Sequence, residues 1–297
     1  MKPTLIAVTL VAVAASACGG PWRSTPAERE ARTTKHIETL LTDIDATPEQ
    51  ETRILALTTS VRERLHSKRD PSKGARAVVA AQWSSEQPDA AVVAAAVDQS
   101  AALRIADAHA IVDAAVGIHQ TLTIEQRSKL EEQLPLKRMR FAAGLAQKLG
   151  YGPPSSSEEL SERAQARFTK VLDELEATEE QRAALQPLFA AVVDDAGPLA
   201  STPETVKETL VSAWQTKELD ADDVAALHAL VDDEAAKVTL AAQSASRALL
   251  QAHAILTVDQ RALLKKRLER GGMREHNVDD DVAAPAPLSA VKLRAKG

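Results

Sequence analysis

Leu122-Thr123-Ile124-Glu125-Gln126 and Leu256-Thr257-Val258-Asp259-Gln260 share one five-residue pattern, Leu-Thr-x-acid-Gln. Two looser copies, Ala46-Thr47-Pro48-Glu49-Gln50 and Ala177-Thr178-Glu179-Glu180-Gln181, make four occurrences of (Leu/Ala)-Thr-x-acid-Gln. The first and third lie 131 residues apart and the second and fourth 134 apart. The phrase has a local physical meaning. A threonine hydroxyl accepts a hydrogen bond from a free N–H of a first helical turn. A glutamine three residues on reaches back to the N–H of the cap. The acid before the glutamine suits the positive end of the helix, and Pro48 stands where a missing N–H costs nothing. Thr47, Gln50, Thr123, Gln126, Thr178, Gln181, Thr257 and Gln260 are therefore read as helix-capping residues, and each phrase as a helix start.

Other residues keep the same offsets. Trp83 and Trp214 are 131 apart, and each precedes an aspartate by six positions, Asp89 and Asp220. His119 and His253 are 134 apart, each four residues before its motif threonine. A repeat of this length marks a duplicated structural unit. The chain thus divides into a first unit over 33–150, a linker over 151–157 (Gly, Pro and Ser rich) and a second unit over 158–271.

Within the units, apolar residues recur at spacings of three and four, as in Ile37, Leu40, Leu41 and Ile44, or Ile54, Leu57, Val61 and Leu65. This predicts helices over 33–45, 48–68, a short segment reaching Trp83, a long helix from Pro88 to Gln120, and one from Thr123 interrupted at Leu134-Pro135. The second unit is expected to hold helices near 158–176, 179–194, 203–215, 221–254 and 258–270. Residues 69–74 read as a turn. Residues 272–297, with three consecutive aspartates and Ala-Pro repeats, read as a disordered tail. Hydrophobic residues make up 44% of the chain but aromatics only 2%, so the core must be built from Ala, Val, Leu and Ile, which with scarce glycine favours an all-α fold.

The first residues have a different logic. Lys2 is followed by an uncharged apolar run, Leu5 to Ala17, too short to span a bilayer and of the length of a signal-peptide core. It ends Ala15-Ser16-Ala17-Cys18-Gly19-Gly20, and Cys18 is the one cysteine of the chain, so no intrachain disulfide can form. Small residues before a cysteine resemble the bacterial lipobox. The expectation is a signal peptide over 1–17, lipidation of Cys18, and a tether over 18–32. Gly19, in place of the aspartate that retains many such lipoproteins at the inner membrane, favours the outer membrane by the same resemblance. An ordinary signal peptide with an incidental cysteine is the alternative.

Net charge is −6, and residues 33–134 and 158–270 carry about −4 and −8 respectively, so neither unit has a nucleic-acid footprint. Residues 135–157 hold Lys137, Arg138, Arg140 and Lys148 with no acid, a stretch read as a solvated face or a contact for anionic lipid or an acidic client. A phosphate-binding glycine loop, a nucleophile elbow and a His-Glu-x-x-His motif are all missing from the sequence, which leaves enzymatic activity without a motif to support it. Trp83 and Trp214 are read as core or hinge anchors, with client contact as the other reading. The duplicated His119 and His253 are weighed between helix-end packing and a divalent-metal site, zinc being one cofactor such a site would take. No two of the seven histidines have a close metal-ligand spacing.

The paired Leu-Thr-x-x-Gln motif, twice per helical unit behind an export signal, resembles the Spy/CpxP family of periplasmic proteins and the broader zinc-responsive and heavy-metal-resistance group. Leu122-Thr123-x-x-Gln126-Arg127 and Leu256-Thr257-x-x-Gln260-Arg261 match closely, while Ala46 and Ala177 replace the leucine in the other two. The resemblance implies long bent helical hairpins that pair antiparallel into a curved cradle. Here two tandem hairpin units in one chain could pair as an intramolecular pseudo-dimer or trail like beads. It also implies ATP-independent binding of unfolded or misfolded envelope proteins, or contact with the periplasmic domain of a sensor kinase, and for other members metal binding. A structural lipoprotein is a third reading. The acidic units depart from the basic client surface of the best-known chaperone of the family.

Overall fold

The computed structural model describes residues 25–67, 71–133, 156–200, 209, 212–216 and 218–271. Cys18, the signal and linker segments, most of the basic stretch, Leu134-Pro135 and the acidic tail lie outside the described residues. In the first unit α1 spans Pro26–Asp43, α2 Pro48–Ser67, α3 Pro71–Trp83, α4 Ala90–Thr121 and α5 Ile124–Gln133. In the second, α6 spans Ser157–Glu174 and α7 Glu179–Ala196, followed by a 3₁₀ turn at Gly197–Ala200; α8 spans Ala221–Ile255 and α9 Val258–Gly271. No described helix is long and apolar enough to cross a membrane.

The capping reading is met at all four motifs. Thr47, Thr123, Thr178 and Thr257 each accept from the N–H of the glutamine three residues on, at 3.2–3.3 Å. Each threonine N–H in turn donates to that glutamine's Oε1 at 2.9–3.1 Å. The same device corrects the tether. Thr25 and Glu28 form a fifth capping box and start α1 at Pro26, inside the stretch 18–32 read as a tether. Two further starts rest on the repeated aspartates: Asp89 caps α4 and Asp220 caps α8. The residues read as a turn over 69–74 also yield in part, because α3 begins at Pro71.

The turns before the Ala motifs are alike. Asp45 and Glu176 adopt left-handed φ of 57° and 50°. Around them Ala46 N–H donates to Leu41 O and Ala177 N–H to Leu172 O, each at 3.0 Å. This is the Schellman end, which satisfies the last carbonyls of α1 and α6 and turns the chain sharply into α2 and α7.

The two units face each other along α4 and α8. Asp98 accepts from Gln243 at 2.7 Å, and further along α4 His109 meets Asp232 and Asp113 meets His228. Numbers rise along α4 as they fall along α8, so the two long helices run antiparallel. Their seam buries Val112, Val116 and Leu227. The units are thus paired within one chain, one of the two arrangements open to tandem hairpins.

Candidate functional site

Each unit completes the other's core. The first core gathers Ile37, Leu41, Ile44, Ile54, Ile118 and Leu130 around a residue of the second unit, Trp214. The second gathers Leu172, Leu175, Ala177, Leu185 and Leu256 around Trp83 of the first. Trp83 is 2% and Trp214 6% exposed. Both tryptophans are core anchors, and each anchors the opposite unit.

The repeated histidines form the walls of these sockets. His119 meets the Trp214 ring edge-on at a centroid distance of 5.7 Å, and His253 meets Trp83 at 5.3 Å with the rings 89° apart. His119 Nε2 bonds to Thr216 O at 3.0 Å, so this nitrogen carries the proton, and Nδ1 faces the guanidinium of Arg127 at 3.3 Å. Burial holds the His119 imidazole below its ordinary 6.5; Arg127 pushes the same way, and the hydrogen bond to Thr216 opposes it. Burial lowers His253 likewise, with Arg261 adding to it and hydrogen bonds to the Ser85 and Trp83 backbone opposing. The two histidines lie in separate cores, and the described residues contain no cluster of three or more His, Cys, Asp or Glu side chains arranged to hold a metal.

The arginine after each complete motif has a role that the motif alone does not disclose. Arg127 donates through Nη1 to His119 O at 2.9 Å and through Nη2 to Thr216 O at 3.1 Å, bridging α4's last turn to the other unit. Arg261 donates to His253 O at 3.0 Å. The only sequence signal for them was adjacency to a repeated motif.

The glutamines also do more than cap. Gln50 Nε2 donates to Gln126 Oε1 and Gln126 Nε2 to Gln50 Oε1, both at 2.9 Å. The same amides reach Thr121 O at 2.8 Å and Asp45 O at 3.0 Å. Gln181 and Gln260 form the equivalent couple at 2.9 and 3.0 Å, and donate to Ile255 O and Leu175 O. Each couple welds the two helix corners of a unit, with every amide hydrogen used.

Between the corners the α4–α8 seam opens into an apolar cavity of about 360 Å³. Ile105, Ala108 and Val112 line it from the first unit, and Leu227, Val231 and Val238 from the second. Val238 at its edge is 43% exposed. Glu234, itself buried, accepts from Lys237 at 2.8 Å on the same wall.

Comparison with curated proteins and with solved structures returned no significant match. The family model for the LTXXQ motif matches twice, over residues 32–134 and 163–268, the two units just described. Such membership supports a role connected with the cell envelope. The paired threonine–glutamine corners, repeated in register and matched by that model over most of the chain, make this protein a member of the LTXXQ motif family in tandem duplicate.

Proposed function

We propose that this protein is an ATP-independent, chaperone-like protein of the cell envelope that holds unfolded or aggregation-prone client segments. The observation that carries the reading is the apolar trough between α4 and α8, to which both units contribute walls and which opens to solvent beside Val238. Unpaired apolar surface of this kind is what an unfolded segment's side chains would cover. The rigid corners and exchanged tryptophans keep the two walls apart without requiring nucleotide. The acidic surroundings, net −6 over the chain, favour client segments flanked by basic residues. Lipidation at Cys18 would hold the protein on the periplasmic side of the envelope, with the outer membrane as its site.

The test is light scattering from a denatured, aggregating model protein with the chain added in the absence of ATP. Suppression at near-stoichiometric ratio supports the reading. Unimpeded aggregation in the presence of the fully folded protein removes it.

A further inference from the structure

His109 on α4 and His228 on α8 are not related by the repeat offsets, yet each stands four residues before an aspartate, Asp113 and Asp232. The antiparallel seam sets His109 Nε2 at 2.9 Å from Asp232 Oδ1, and His228 Nε2 at 3.1 Å from Asp113 Oδ1. Between these two contacts the rings meet head-on, Nδ1 to Nδ1 at 2.6 Å. The four side chains form one row, Asp232–His109–His228–Asp113, which crosses the seam at every step. Its protons can be counted. A carboxylate only accepts, so each Nε2 carries hydrogen. Two ring nitrogens at 2.6 Å need one hydrogen between them, because two lone pairs repel and two N–H groups collide. The row therefore holds three protons on four ring nitrogens: one imidazole and one imidazolium between two carboxylates.

We propose that this row is a one-proton latch between the two units, closed while His109 and His228 share a single proton and released when a change of pH adds a second or removes the first. Removal leaves lone pair against lone pair. Addition sets donor against donor on two like-charged rings. Neither ring can turn from the mismatch without leaving the carboxylate that holds its other end on the opposite helix. Protons reach the row from solvent, since the two imidazoles are 27% and 28% exposed. Ala108, Leu227 and Val231, the chain neighbours of His109, His228 and Asp232, line the trough, so release frees α4 from α8 where both wall it. The surrounding charges are engaged elsewhere or set apart. Arg64 of α2, packed behind α4, meets Asp107 at 3.0 Å, and Asp107 lies two residues from His109, on the far side of α4. Lys237 of α8 holds Asp233 and Glu234 at 2.7 and 2.8 Å. Arg104 lies more than a turn before His109 on α4, and the segment before α8 brings Ala213 and Leu219 to the seam, with Glu218 exposed. Histidine is the side-chain type whose charge changes near neutral pH, so the two rings set the response. The latch is distinct from the sockets of His119 and His253 and does not depend on client binding.

The full chain carrying Cys18→Ser and ¹⁵N-labelled histidine is titrated from about pH 9 to about pH 5, which spans the range of imidazole charge change. Nitrogen NMR should show His109 and His228 taking up protons in two separate steps, as interacting groups do. Between the steps both Nε2 atoms should be protonated and one proton divided between the two Nδ1 atoms. Melting temperature is then compared with that of His109→Gln at each pH. The substitution should lower it by about 2–4 °C between the two steps and by less on either side. Taking the difference cancels His119 and His253, which both chains share. His228→Gln should reproduce the profile, while replacing the exposed His36 by Gln should leave the melting temperature unchanged across the range. Asp232→Asn removes a carboxylate that favours the positive pair, so the first uptake should move to lower pH by about one unit. Two independent single-step titrations, or a melting difference that does not vary with pH, overturns the proposal.

Discussion

Trp83, at the end of α3 in the first unit, donates its indole N–H to the carbonyl of Arg261 in the second, at 2.9 Å. Its counterpart Trp214 is just as deeply embedded in the first unit, but its indole N–H has no partner among the described residues. The exchange of tryptophans is therefore symmetric in packing and asymmetric in hydrogen bonding.

That asymmetry separates two conservative substitutions. Trp83→Phe loses both packing volume and a satisfied hydrogen bond, and strands the Arg261 carbonyl. Trp214→Phe removes a donor that is already unsatisfied. Chemical denaturation should show Trp83→Phe to be the more destabilising by about 1 kcal/mol. Truncation to alanine at either site should cost about 3–5 kcal/mol.

The glutamine couples should behave as pairs. Gln181→Ala and Gln260→Ala each remove the cap contacts of one helix and strand the partner amide, so either alone should cost about 2 kcal/mol. The double variant should cost less than the sum, with a coupling of about 0.5–1.5 kcal/mol in a denaturation cycle. Additive losses would mean that the two corners are held independently.

Glycine is the residue best suited to the left-handed turn that Glu176 occupies, and the Glu176 side chain is exposed. Glu176→Gly should raise stability by about 0.5–1 kcal/mol, read as a higher melting temperature.

Acid should loosen the sockets. His119 has a folded-state pKa below its ordinary 6.5, because burial and Arg127 disfavour the imidazolium. The unfolded chain therefore takes up that proton first as pH falls. The stabilisation is complete above 6.5 and drains away as pH drops below it. His253 is shifted in the same direction and adds to the effect. Melting temperature should fall between about pH 7 and pH 5.5, and His119→Gln should flatten that slope at the cost of a lower plateau.

Much of this architecture was legible because its determinants are local. A threonine with a glutamine three residues on forms the same hydrogen bonds wherever it occurs, so four helix starts could be placed from five-residue phrases. The fifth, Thr25-Pro26-Ala27-Glu28, is masked by Pro21, Ser24 and Pro26 around it, whose composition reads as a tether. What local pattern does not carry is partnership. Recurrence at the repeat offset points to Trp83 and Trp214 as core or hinge anchors, but nothing in spacing says that each enters the other unit's core, since that follows from how the helices cross in space. The Gln50–Gln126 and Gln181–Gln260 couples and the Arg127 bridge are long-range in the same sense. His109 and His228 fell outside the repeat offsets; the shared four-residue step to aspartate was their one visible signal. The α4–α8 trough is a gap between helices, which no linear pattern displays.

Client holding has its own substitution. Val238→Glu places a charge at the mouth of the trough, on a side chain that is 43% exposed and outside the buried clusters. Aggregation suppression should fall several-fold while the melting temperature stays within about 1 °C, a surface change being nearly neutral for stability.

The exchange of tryptophans between units is tested most directly by amide hydrogen exchange on Trp83→Ala, compared residue by residue with the parent. Protection should be lost around Leu172–Ala177 and Leu256 of the second unit, while α1, α2 and the Trp214 socket retain theirs. Loss confined to the first unit, with the second unaffected, would contradict the exchange and leave two hairpins that merely lie side by side.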